Sequence, residues 1–220
     1  MTVIDLSHPL EHGMATHPGL PGPVITDHLS RADSRGRYAP GTEFQIGAIT
    51  MVANTGTYID APFHRFDGGT DLAGLDLDRL VDRPGLVVDA RGRAVGAEAF
   101  DGLDVAGTAV LVRTGWDRHW RTPEYGSAEH PFLTGEAAAL LAERGAAVVG
   151  IDSVNVDDLA DPVRPAHTAL LGAGVPVVEH LRGLDRLPST GFRFHAAPVA
   201  VVGMGTFPVR AYAVTGHPNR

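Results

Sequence analysis

The chain has 220 residues, 44% hydrophobic and 20% charged, which suits one domain with a full core and is short for two. Its formal net charge is −8 and every cation is Arg, which argues against nonspecific binding to nucleic acid or a membrane surface. Cysteine is absent, so disulfides, thiolate metal sites and a Cys nucleophile are excluded, and any transition-metal site must draw on His, Asp and Glu.

In chain order, Met1 to Leu6 reads as a short strand with neither the basic segment nor the apolar stretch of a signal peptide. No window is long enough to cross a bilayer, so the cytoplasm is the expected compartment. Residues 7–23, rich in His, Pro and Gly, form an ordered arm rather than a helix. Val24 to Leu29 reads as a strand, Ser30 to Gly41 as a loop, and Phe44 to Val52 as a strand. A candidate active-site loop follows from Asn54 to His64. Leu86 to Asp89 and Ala109 to Arg113 are short apolar runs with turn signals around them, as expected of buried strands.

Thr134 to Gly145 is the clearest helix, with a capping Thr, strong helix formers and a glycine stop. Ala147 to Ile151 reads as a buried strand, Thr168 to Ala173 as a short helix and Val175 to Val178 as a strand. Phe192 to Val202 and Pro208 to Val214 read as a closing pair of strands. Without repeat, linker or composition break, residues 1–220 are expected to form a single domain with many strands and few helices.

Three segments carry candidate chemistry. Asn54 to His64 packs Gly56, Asp60, Pro62 and His64 into eleven residues: two that fix the backbone and two that bind metal or move protons. Gly150 to Asp158 ends an apolar strand in polar side chains, Asp152 first; the alternative is a turn with capping Asp and Asn. His167 precedes a short helix and Glu179 ends a strand; alone, each is more often a cap or a solvated end. Together, Asp60, His167 and Glu179 offer one nitrogen and two carboxylates, a set that suits Zn²⁺, Mn²⁺ or Fe²⁺. His8, His12 and His17 can line a pocket from the arm. A serine nucleophile elbow and a glycine-rich phosphate loop are both missing.

These residues resemble the cyclase family that includes bacterial kynurenine formamidase and isatin hydrolase. The family hallmark, His-x-Gly-Thr-His-x-Asp-x-Pro-x-His, stands here as Asn54-Thr55-Gly56-Thr57-Tyr58-Ile59-Asp60-Ala61-Pro62-Phe63-His64. Asp5-Leu6-Ser7, Arg113 to Trp116, His130 to Thr134, Gly150 to Ser153, His167 with Leu170, Leu171 and Glu179, and Gly203 to Val209 extend the likeness along nearly the whole chain.

The resemblance implies an α/β, swivelling β/β/α single domain with a mixed sheet, usually a homodimer or homotetramer. It also implies a metal-dependent hydrolase acting on an amide, lactam or related carbonyl bond of a small cyclic or aromatic compound. Carried over, Asp60, His167 and Glu179 are metal ligands and His64 is the catalytic acid or base. Asn54, His17 and Asp152 are expected to contact substrate.

Asn54 and Tyr58 stand where the family has two metal-binding histidines, and neutral amide and phenol oxygens are weak ligands for Zn²⁺. The expectation is therefore one divalent metal, Zn or Mn, at Asp60, His167 and Glu179. A competing reading drops the metal and uses Tyr58 and His64 as acid and base in a cyclase or isomerase. A third is a small-molecule binder without catalysis. The arm has His17 where a Trp would favour a kynurenine-type pocket.

Overall fold

The computed structural model describes residues 1–90 and 92–216. Thirteen strands and three α-helices are present among them. The strands are β1 Thr2–Asp5, β2 Val24–Leu29, β3 Ile46–Thr50, β4 Tyr58–Asp60, β5 Arg83–Asp89, β6 Ala94–Val95 and β7 Ala109–Arg113. They continue as β8 Phe132–Leu133, β9 Val148–Ile151, β10 Val177–Glu179, β11 Phe192–His195, β12 Thr206–Pro208 and β13 Tyr212–Thr215. The helices are α1 Arg31–Ser34, α2 Gly135–Glu143 and α3 Pro165–Gly172.

Nine strands form one mixed sheet in the order β1-β13-β11-β5-β7-β9-β10-β4-β12. Its centre, β5-β7-β9-β10, is parallel, and both flanks are antiparallel. The parallel strands are apolar on both faces because both faces are covered. Leu86, Val88, Val110, Val112, Val149 and Ile151 point toward α2 and α3, where Ala137, Leu141, Leu170 and Leu171 complete one core. Val87, Ala109, Leu111, Val148 and Val178 point the other way, into a second core with Ile59, Leu184, Phe192 and Phe194.

Most expected elements are found, with shifted ends. Thr134 caps α2, its hydroxyl accepting from Ala137 N at 3.2 Å. The helix expected from Thr168 starts earlier, at Pro165, because proline suits the first helical position. The loop expected at Ser30 to Gly41 contains α1, capped by Ser30. The strand expected over Phe192 to Val202 stops at His195, ahead of Ala196, Ala197 and Pro198.

One difference matters for function: Asn54 to His64 is not a loop throughout. Tyr58–Asp60 is strand β4, buried in the sheet between β10 and β12, and Pro62–His64 is a 3₁₀ turn. The sequence reads as a loop because Gly56 and Pro62 bracket a segment of only three paired residues.

The hairpin of β2 and β3 stands apart from the main sheet. Ten of its eleven residues are exposed; only Leu29 is buried. Val24, Ile25, Ile46 and Ile49 are among its exposed apolar side chains.

Candidate metal and active site

The register of β4 sets the site. Against β10, Tyr58 lies opposite Glu179 and Asp60 opposite Val177; against β12, Asp60 lies opposite Thr206. Directly opposed side chains in an antiparallel pair meet. The Tyr58 hydroxyl accordingly donates to Glu179 Oε2 at 2.6 Å, and the Thr206 hydroxyl donates to Asp60 Oδ1 at 2.5 Å. Gly205, before Thr206, touches the turn that carries His64: a Cβ there would lie 2.2 Å from His64 N. Only glycine lets β12 come this close.

His167 enters from the first turn of α3. Arg164 offers that helix no side-chain cap, and Asp157 takes the role instead. Its carboxylate accepts from Ala166 N at 2.6 Å, from His167 N at 3.1 Å and from His167 Nδ1 at 2.6 Å. Burial pushes the Asp157 carboxyl up, but the hydrogen bonds and charge of His167 prevail and hold it below its ordinary value. The bond at Nδ1 directs His167 Nε2 inward, as in carboxylate–histidine–metal arrangements.

Nε2 lies 3.5 Å from Asp60 Oδ2 and 3.7 Å from Glu179 Oε1. Asp60 is fully buried, and its Oδ2 has no hydrogen-bond partner. Glu179 is also buried, with Oε1 accepting from Val156 N at 2.6 Å. Two buried carboxylates facing one imidazole call for a cation. In the metal-free chain a proton fills that need. Burial pulls the His167 pKa down, but Asp157 and the carboxylates of Asp60 and Glu179 outweigh it, and the net value is raised to about 10. Burial raises Glu179 to about 7, against the pull of His167. The donor set therefore fits a divalent metal: one buried unpartnered oxygen, one oriented imidazole nitrogen and a second carboxylate.

His64 stands beside this cluster, with its Nε2 3.8 Å from Asp60 Oδ1. Asp60, His64 and His167 each offer a ligand atom, all within 4.8 Å of one another. The Thr206 oxygen also lies 2.8 Å from His64 Nδ1. Because the Thr206 hydrogen goes to Asp60, Nδ1–H of His64 donates to Thr206, which leaves Nε2 as the acceptor. His64 is the exposed member of the cluster, so it is the one able to exchange protons with solvent.

Tyr58 is fully buried, and burial together with Glu179 and Asp60 raises its phenol well above the ordinary value. It stays protonated and spends its proton on Glu179. His180, the next residue along, is buried against Tyr58, with ring centroids 5.0 Å apart, and its Nδ1 shares a 2.8 Å hydrogen bond with the Tyr125 hydroxyl.

A cavity of about 450 Å³ opens over the cluster. The buried Tyr58, His167 and Glu179 line it, together with Asn54, His64, Arg65, Asn155 and Arg164. His17, Pro18, Gly19 and Leu20 line it from the arm, so Asn54 and His17 both face the cavity. Asp152 does not. Its Oδ1 accepts from Thr114 N and Oγ1, both at 2.6 Å, and its Oδ2 from Gly115 N at 2.9 Å. That carboxylate ties β9 to the turn after β7, the structural alternative at this segment. Sequence reading passed over Arg65 and Arg164, and gave no role of their own to Asp157, within the Gly150 to Asp158 segment, or to Thr206. Thr206 had a signal, lying within the Gly203 to Val209 ending typical of the family.

Residues 4–158 match the family model Cyclase, described as "Putative cyclase". The chain belongs to the cyclase family. A kynurenine formamidase of Bacillus cereus is 30% identical over 214 residues, covering 94% of this chain and 95% of that protein. A solved structure titled as a potential metal-dependent hydrolase with cyclase activity superposes with a TM-score of 0.81 at 27% identity, over 99% of each chain. An isatin hydrolase bound to the product analogue thioisatinate superposes with a TM-score of 0.80 at 24% identity, over 96% of this chain and 91% of that one. The family fold is the α/β single domain with a mixed sheet and few helices described above. No helix among the described residues is long and apolar enough to cross a membrane.

Proposed function

We propose that the chain is a metal-dependent hydrolase of an amide, lactam or related carbonyl bond in a small cyclic or aromatic compound. One divalent cation, Zn²⁺ or Mn²⁺, is held by Asp60, His167 and Glu179. The observation that carries this reading is the convergence of His167 Nε2 on Asp60 Oδ2 and Glu179 Oε1, with Asp60 Oδ2 buried and unpartnered. The similarity to a kynurenine formamidase and an isatin hydrolase supports the bond class.

When bound, such a cation polarises a carbonyl and makes a nearby water more acidic. The chain's own residues supply the rest. His64 Nε2 accepts a proton from the attacking water and returns it to the leaving nitrogen, so the carbon–nitrogen bond breaks as a carbon–oxygen bond forms. Thr206 holds His64 in the tautomer this requires and ties it to Asp60. Asn54 and His17 orient the substrate from the cavity wall. Tyr58 fixes one oxygen of Glu179, leaving the other to face His167. A phenol so engaged and so firmly protonated suits positioning better than the acid–base role of the metal-free cyclase reading.

The exposed apolar hairpin of β2 and β3 supports a homo-oligomer, whose mass in solution light scattering will report.

The test is metal analysis with a panel of aryl formamides and lactams. About one metal per chain is expected, with activity lost after EDTA and restored by Zn²⁺ or Mn²⁺. Turnover that survives complete metal removal would overturn the reading. If Tyr58→Phe then abolished that turnover, the cyclase-type chemistry would replace it.

A further inference from the structure

The cavity lining carries two guanidinium groups that the proposed hydrolysis does not use. Arg65 follows His64 directly, and its Nε donates to Thr168 Oγ1 at 3.3 Å. Arg164 opens α3 from the left-handed region, at φ 53°, a costly conformation for a residue with a side chain. Its Nη1 donates to Asp158 O at 3.1 Å and Asn155 Oδ1 at 3.4 Å, and the residue lines the cavity.

Among the described residues, neither arginine has a carboxylate within 4.0 Å. Other described arginines share that lack, but these two line one cavity in a chain of net charge −8. Two cations lining one cavity attract an anion to their side of it. A substrate with an anionic group is thereby oriented, with the anion between the arginines and the carbonyl toward His64 and His167. Pro18 and Leu20 provide an apolar wall for the body between.

We infer that Arg65 and Arg164 are specificity-determining residues that select a substrate bearing a carboxylate away from the scissile carbonyl. This rests on the hydrolase reading only for the word substrate; the recognition itself needs no turnover. Arginine suits the role because its planar donors match the two oxygens of a carboxylate.

Benzoate and its neutral counterpart benzamide separate the possibilities. Their binding is measured by calorimetry, on metal-free protein and on protein reloaded with Zn²⁺. Benzoate is expected to bind at least about tenfold tighter than benzamide in both forms, the scale of a charge-assisted hydrogen bond. In the Arg65→Gln, Arg164→Gln double variant that preference should fall to about twofold or less while benzamide affinity holds, which also reports an intact cavity. Arg164→Lys, which keeps the charge without the fork, should retain part of it. The inference is overturned if benzoate binds no tighter than benzamide in the wild type, undetectable binding of both included. It is equally overturned if the preference persists in the double variant, or appears only with Zn²⁺, which would place the carboxylate on the metal. Failure of the hydrolase reading shows separately, as missing metal or missing turnover, and leaves the metal-free comparison standing.

Discussion

The residues that the family resemblance singles out fall into two groups, and the structure supports them unequally. The group built on Asp60 and His167 is supported on every side: Thr206 holds one oxygen of Asp60, Asp157 orients His167, and Val156 N and Tyr58 hold Glu179. The group at Asn54 and Tyr58 offers an amide and a phenol instead of imidazoles, and the phenol donates to Glu179 of the other group. A metal site thus depends on more than the presence of oxygen atoms. Asn54 and Tyr58 still line the cavity, but neither supplies a nitrogen donor or a charge. His167 supplies a nitrogen, and its partner carboxylate makes that nitrogen a better donor.

The comparison is broken most severely at His167. His167→Ala should remove the bound metal and lower kcat/KM by at least about a thousandfold, read by metal analysis and steady-state kinetics. Retained metal would mean that Asp60 and Glu179 suffice, or that His64 substitutes. Asp157→Asn leaves every proposed ligand in place and tests their support: metal affinity should fall about 10- to 100-fold by competition with a chelator. An unchanged affinity would show that the hydrogen bond at Nδ1 caps α3 and does nothing for the metal.

Restoring the other group sharpens the contrast. Asn54→His with Tyr58→His should raise metal content from about one to about two per chain, since three ligands would again meet at Asp60. A content that stays flat means that the loss lies in the backbone and not in the two side chains.

The smallest effect is on the stability of metal-free protein against pH. The folded pKa of His167 is raised to about 10, so its contribution is fully present below the unfolded value of about 6.5 and is lost as pH rises toward 10. The folded pKa of Glu179 is raised to about 7, so it too costs stability as pH rises, from about 4.3 upward. Both signs agree: the urea midpoint of metal-free protein should fall between pH 6 and pH 10, and Zn²⁺ should flatten the fall. A midpoint that rises over this range would mean that His167 is neutral without metal.

The sequence alone determined the chemistry available. Absence of cysteine limited any metal to His, Asp and Glu, and the spacing of Gly56, Asp60, Pro62 and His64 marked one segment for function. Apolar runs at Ala109 to Arg113 and Ala147 to Ile151 announced buried strands because parallel strands covered on both faces carry no polar alternation. What stayed hidden was pairing. Nothing local in Tyr58-Ile59-Asp60 says that it is a strand, since its ladder partners lie on β10 and β12, more than a hundred residues away. Asp152 and Asp157 look alike in sequence, both following the β9 apolar run. One became a latch on Thr114 and the other the partner of His167, because α3 begins beside the second. Thr206 meets Asp60 across 146 residues for the same reason. Residue type and spacing fix which donors exist, whereas strand register and helix placement decide which of them share a point in space.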